Sequence, residues 1–183
     1  YRYYVGDPQT VGAPAAAHKL TAEIYSTGGT HYTRATSAKT VDDGVWHHAV
    51  TIMNGSTLSL YIDGVLDGGP TTVQAGIITG EADSLFFGTK GNGDVPSGSY
   101  YFNGLIDEVR IYNRALSASE ISSLALSRSR LLITDGLVGH WKLDEGTHGA
   151  TAGGATAKDS SGNGNTGTPT NGPIWQASNL SYP

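Results

Sequence analysis

The chain has 183 residues with 26 glycines, ten tyrosines, no cysteine and a formal net charge of -5. That length suits one well-cored domain, and the glycine-rich, weakly charged pattern without long helix-period segments predicts short strands joined by tight turns. The acidic balance and the eleven scattered Lys and Arg exclude a nucleic-acid or anionic-membrane surface, and the lack of cysteine removes disulfides, zinc thiolates and thiol catalysis together.

No apolar run approaches the roughly 20 residues of a membrane span. Tyr1, Arg2, Tyr3 and Tyr4 carry neither an initiator Met nor a signal-peptide pattern and read as part of a processed or excised segment, with Tyr1, Tyr3 and Tyr4 on an edge strand. The clearest strand covers Trp46 to Met53, followed by Thr57 to Ile62, where Leu58, Leu60 and Ile62 share the buried face. Asn54-Gly55 has the composition of a hairpin turn between them, and Asp63-Gly64 returns the chain into Val65 and Leu66. His47 and His48 are adjacent, face opposite sides of a strand and cannot chelate one metal, so they read as structural.

Ser84 to Gly88 reads as a short strand, Gly91 to Gly98 as a surface loop, and Tyr100 to Tyr112 as a longer strand with Leu105, Asp107, Val109 and Ile111 on one side. Ser117 and Glu120 form a capping box, which predicts a short helix with Ile121 and Leu124 inward. The composition changes over residues 126–135, and a fresh alternating strand follows with Leu137, Gly139, Trp141 and Leu143. Beyond Glu145 the chain is rich in Gly, Thr, Ser and Asn, too polar to core a domain by itself. Trp46 and Trp141 sit at core parity. Tyr100, Tyr101 and Trp175 are candidate exposed aromatics for stacking on a sugar.

Two runs carry a family resemblance. Trp46-His47-His48-Ala49-Val50-Thr51 with Leu60-Tyr61-Ile62-Asp63-Gly64, and the specific run from Phe102 through Asp107-Glu108-Val109-Arg110 to Ser117, resemble landmarks of the laminin G-like, concanavalin A-like lectin family. Gly136 to Gly146 with the loop Asp159-Ser160-Ser161-Gly162-Asn163-Gly164-Asn165 is similar to that family's opening strand and the loop after it, yet it stands last, so the family order is rotated. The resemblance implies an all-β, antiparallel two-sheet β-sandwich of jelly-roll type. Residues 1–125 would be a body lacking its opening strands, 126–135 a linker, and 136–183 the opening strand and loop, packed on its own body or on a neighbouring unit of a tandem array. It further implies a secreted, extracellular or cell-surface module that binds a glycan or cell-surface polysaccharide. A body short of strands also invites strand addition from neighbouring copies of itself, giving a filament.

Asp159, Asn163 and Asn165 offer oxygen ligands at alternating spacing in a glycine-containing loop, as calcium requires. The resemblance adds Asp107, making Asp107, Asp159, Asn163 and Asn165 a structural calcium set. The other reading of the same residues is an Asx-turn loop with Asp107 paired to Arg110 or Arg114. The neighbouring acids Asp107-Glu108 and Asp144-Glu145 face opposite sides of a strand and cannot flank a glycosidic bond. No nucleophile elbow, phosphate loop or HExxH is present, so a non-catalytic chain is expected. Asn54-Gly55-Ser56 and Asn179-Leu180-Ser181 fit the N-glycosylation pattern.

Overall fold

In a computed structural model of the chain, residues 2–5, 18–25, 32–73, 85–92, 95–126 and 132–176 are described. Their strands are β1 (Arg2–Val5), β2 (Lys19–Tyr25), β3 (Tyr32–Thr40), β4 (Ala49–Asn54), β5 (Thr57–Ile62), β6 (Val65–Thr72), β7 (Thr89–Asn92), β8 (Val95–Tyr101), β9 (Val109–Tyr112) and β10 (Leu137–Trp141), with one helix, α1 (Ala118–Leu126). All pairings are antiparallel, in the orders β1-β2-β3, β4-β5-β6, β7-β8 and β10-β9. This is the expected all-β class with one short helix.

The chain divides into two compact units, Tyr1–Phe102 with Leu116–Arg128, and Asn103–Ala115 with Ser129–Pro183. The division differs from the expected body, linker and tail, because residues 103–115 leave the body and join the tail. The physical reason is the β9–β10 ladder, in which Val109 lies opposite Trp141 and Arg110 opposite His140. The tail's opening strand is therefore paired within its own chain.

In the first unit, β3 lies against β5 and β6, and Ile24, Ala35, Leu58, Leu60, Ile62 and Val73 form one core shared by the two three-stranded sheets. The period-two alternation of β5 puts Leu58, Leu60 and Ile62 inward, as the sequence implied. Close approach explains Gly68 of β6, where a Cβ would lie 2.6 Å from the Thr36 carbonyl oxygen of β3. The far face of β2 is also covered. Glu23 is buried there and pairs across the ladder with Arg34, whose Nε and a terminal nitrogen lie 2.8 and 2.6 Å from Oε1. A buried charge of this kind persists only when paired.

Two turns set the β4–β5–β6 meander. Asp63 and Gly64 both take positive φ (53° and 83°) between the paired residues Ile62 and Val65, the pattern of a two-residue I′ hairpin. The β4–β5 turn is displaced by one residue from the expectation. Asn54 pairs with Thr57, so Gly55 and Ser56 are the central residues, and Gly55 takes the positive φ. The helix follows its capping box, with the Ser117 N–H donating to Glu120 Oε2 (2.7 Å) and the Glu120 N–H to Ser117 Oγ (3.3 Å). Ile121 and Leu124 are its buried residues.

Several boundaries moved. Trp46, His47 and His48 precede β4, and Trp46 is half-buried rather than fully enclosed. The strand expected at Ser84–Gly88 falls instead at β7; Leu85 to Gly88 are not strand, and Ser84 lies outside the described residues. The expected loop at 91–98 is the β7–β8 hairpin, whose ladder pairs Thr89 with Tyr101 and Asn92 with Val95. The long strand from Tyr100 to Tyr112 is two strands, because the left-handed backbone of Glu108 (φ 53°) breaks extended pairing before β9. Leu105 in the interruption is 54% exposed, not inward.

Leu60→Ala is expected to cost about 2–5 kcal/mol by removing a fully enclosed side chain, whereas Val65→Ala, at an exposed position, should stay within about 0.5 kcal/mol. Urea unfolding followed by circular dichroism measures both.

Candidate functional site

The second unit is organised by one carboxylate. Asp159 is buried (7% exposed) and its backbone bridges to Trp141. Oδ1 accepts the N–H groups of His140 (3.0 Å) and Ser161 (2.8 Å), while Oδ2 accepts the Ser161 hydroxyl (2.9 Å) and the Asn165 N–H (2.9 Å). A carboxylate has about four acceptor positions, and all are taken. Burial alone would push the Asp159 carboxyl up, but the donors from His140, Ser161 and Asn165 outweigh it and hold it far below the usual carboxylate range.

The two asparagines act in the same loop as donors. Asn163 Nδ2 donates to the carbonyls of Leu137 and Val138 (both 3.0 Å), and Asn165 Nδ2 donates to Val138 (2.9 Å). Above the loop, Trp141 Nε1 donates to the Asn165 carbonyl at 2.7 Å. Asp107 is engaged elsewhere. It accepts the N–H of Glu108 (2.9 Å), and the charges that act on it belong to Glu108, Asp144 and Arg110. The calcium set read from the sequence therefore does not fit this arrangement, since Asp159 has no acceptor position to give a cation and both amide groups present hydrogens to the carbonyls. Among the described residues no three His, Asp or Glu side chains gather as a metal cluster.

The charge of Arg110 acts on Asp107, as the alternative reading had it. Arg110 donates to Glu108 Oε2 (2.5 Å), which also lies 2.8 Å from His140 Nε2, and Arg114 pairs with Asp135 at 2.8 Å. The Glu108–Arg110–His140 cluster is mostly enclosed and ties β9 to β10.

Trp175 requires a correction. It is 8% exposed, and a Cβ on Gly146 would lie 2.0 Å from its ring, so the indole is spent inside the second unit rather than offered to a sugar. Trp141, Ala152, Ala157 and Trp175 are buried hydrophobic residues of this unit, which the polar composition concealed. Tyr100 and Tyr101 lie on β8, but their side chains fall outside what is described. Two aromatics that the sequence reading passed over lie at the base of the same hairpin. Phe87 and Phe102 are 37% and 45% exposed, and the Phe102 N–H donates to the Gly88 carbonyl (2.8 Å). Their signal was exposure, which sequence parity did not give.

In the first unit a second carboxylate holds the motif residues together. Asp63 accepts the His48 N–H (3.0 Å), lies 2.9 Å from His47 Nδ1 and pairs with Lys39; the other ring nitrogen of His47 is 3.1 Å from Asp43. Burial works against the charge on Asp63, yet Lys39, His47 and His48 together hold its carboxyl below the usual range. His47 and His48 thus serve a turn, as expected of structural residues. Asn54, in the first glycosylation pattern, is exposed at the end of β4; Asn179 lies outside the described residues.

The comparisons with known proteins decide the family. The family model described as the concanavalin A-like lectin/glucanases superfamily matches residues 9–122, more than half of the chain. The chain belongs to this superfamily. The match takes in β2 to β9 and the start of α1, leaving the β10 strand and the Asp159 loop outside it. Among curated proteins, adhesion G-protein coupled receptor V1 of Danio rerio is 31% identical over 96 residues, which are 52% of this chain and 2% of the receptor. Among solved structures, an S-layer domain-containing protein (residues 221–444) from Clostridium thermocellum ATCC 27405 is similar at 31% identity and a TM-score of 0.39, covering 60% of this chain and 52% of that one. The chain thus spans only a small part of the receptor and about half of the solved chain.

Opposite acid responses follow from the carboxylates. Asp159 and Asp63 titrate below their ordinary value, so the stability they contribute is fully present above that value and is lost as pH falls from it through the lower value of the folded state. Burial, reinforced by Glu108 and Asp144, pushes Asp107 up despite the Glu108 N–H and Arg110, so ionising it costs stability as pH rises through the carboxylate range. Asp107→Asn is accordingly expected to raise the melting temperature at neutral pH. Asp159→Asn should lower stability by about 1–3 kcal/mol, because an amide hydrogen then faces N–H donors. Thermal melts between acidic and neutral pH measure both.

Proposed function

We propose that this chain is an extracellular, non-catalytic adhesion module that recognises a glycan on a cell surface or in its surrounding matrix. The observation that carries this reading is the superfamily match over residues 9–122; the likeness to an adhesion receptor of Danio rerio points the same way. Four acids among the described residues also favour binding over turnover. Glu23 is paired with Arg34, Glu108 with Arg110, Asp63 with Lys39, and Asp159 is filled by amides and a hydroxyl. A glycosidase needs two carboxyls facing one bond with freedom to move a proton, and these are committed to turns and ladders. No helix among the described residues is long and apolar enough to cross a membrane.

The ligand edge we favour is the β7–β8 hairpin. Tyr100 and Tyr101 are on β8, and the exposed rings of Phe87 and Phe102 flank its base. Aromatic faces hold sugars by covering the apolar side of the pyranose ring, with orientation supplied by nearby polar groups.

Glycan-array binding by the whole chain tests the proposal. Binding to a defined glycan class, with at least about a tenfold loss of affinity in the Tyr100→Ala, Tyr101→Ala double variant, supports it. Silence across a broad array, or full binding by the double variant, removes the glycan reading.

A further inference from the structure

We infer that the loop from Asp159 to Asn165 closes on its own amide hydrogens in the position where its resemblance calls for a cation, so that the second unit is clasped without calcium. The inference is independent of the glycan reading.

Oxygens converge on this loop from the Asp159 carboxylate, the Leu137 and Val138 carbonyls and the Ser161 hydroxyl. Converging oxygens repel unless something positive lies among them, either a cation or the hydrogen end of a dipole. Calcium would fill that role with six to eight oxygens at about 2.3–2.6 Å. Here the role is filled by hydrogens. Val138 O receives Asn163 Nδ2 (3.0 Å) and Asn165 Nδ2 (2.9 Å), and Leu137 O receives Asn163 Nδ2 (3.0 Å), while the one Ser161 hydroxyl hydrogen goes to the nearer Asp159 Oδ2 (2.9 Å). The orientation of both amide groups is set by chemistry, because a carbonyl only accepts and the nitrogen side must face it.

Backbone N–H groups complete the clasp on Asp159. The His140 N–H comes from β10, and the Ser161 and Asn165 N–H groups come from the loop itself. The Asn163 N–H also donates to Ser161 Oγ (3.2 Å). Loading a cation would require the carboxylate to release these donors and both asparagines to turn their oxygens inward. The loop instead carries one negative charge, neutralised by dipoles fixed in place, in the manner of a backbone nest around an anion. Trp141 covers the arrangement through its bond to the Asn165 carbonyl.

Trp141 also provides the probe. Terbium is a luminescent stand-in for calcium, and an indole bonded to the loop would sensitise it. The experiment follows terbium luminescence of the whole chain excited through tryptophan, together with NMR hydrogen exchange of the His140, Ser161 and Asn165 amides in EGTA and in millimolar calcium. The expected result is no saturable terbium signal and equal protection of the three amides in both media. Saturable sensitisation, or a tenfold faster exchange of these amides in EGTA than in calcium, overturns the inference. Asn163→Asp gives an independent arm, since it replaces the donor with a third oxygen-only group beside the Leu137 and Val138 carbonyls. Exchange of the same amides should quicken at least tenfold in EGTA and recover in calcium; a variant as protected in EGTA as the parent chain shows that the amide hydrogens do not hold the loop, and the inference fails.

Discussion

Backbone N–H groups gathered onto buried or half-buried carboxylates are the constraint on which this fold depends. A glycine-rich chain reverses direction often, and each reversal leaves amide donors that no ladder can satisfy. Asp63 meets this need at the β5–β6 turn by accepting the His48 N–H, and Asp159 meets it at the β10 edge with three backbone donors and a hydroxyl. In both places the acid sits where the chain turns, and its charge is held by hydrogens rather than by solvent. The apolar core of the first unit can then be small, because the turns that deliver β5 and β6 to it are fixed by polar contacts.

The same principle separates the roles of the acids. A carboxylate that is filled with donors is committed to structure, and one that is half-buried with fewer of them is pushed up from the usual carboxylate range. Asp159 and Asp107 occupy these two conditions within one unit. Glu108 stands between, shared by Arg110 and His140 across the β9–β10 ladder. Together these contacts engage Asp159, Glu108, Arg110 and His140 in holding the shape of the second unit.

How much of this was legible in the residues depended on whether a pattern was local. The alternation of Leu58, Leu60 and Ile62 and the Ser117–Glu120 box each fix their element from within a few residues, and both elements formed where expected. The β7–β8 hairpin was hidden because Thr-Lys-Gly-Asn and Val-Pro-Ser-Gly-Ser have no hydrophobic period. Trp175 misled because its burial depends on the missing side chain of Gly146, far away in the sequence. For Asp159, Asn163 and Asn165 the spacing was right for a loop full of oxygens, but spacing does not tell whether asparagine turns its oxygen or its nitrogen inward. That choice is made by the carbonyls of Leu137 and Val138.

The ladder between β9 and β10 has a bearing on how the chain can be divided. Residues 103–115 belong to the second unit, yet the chain returns to the first unit immediately afterwards to build α1. Neither unit is thus a continuous stretch of polypeptide, and no single cut liberates one intact. A fragment ending after α1 would keep β9 but lose the strand that satisfies its N–H and C=O groups, and one beginning at β10 would lose both β9 and the Glu108 carboxylate. Interleaving of this kind makes the two halves inherit each other's damage.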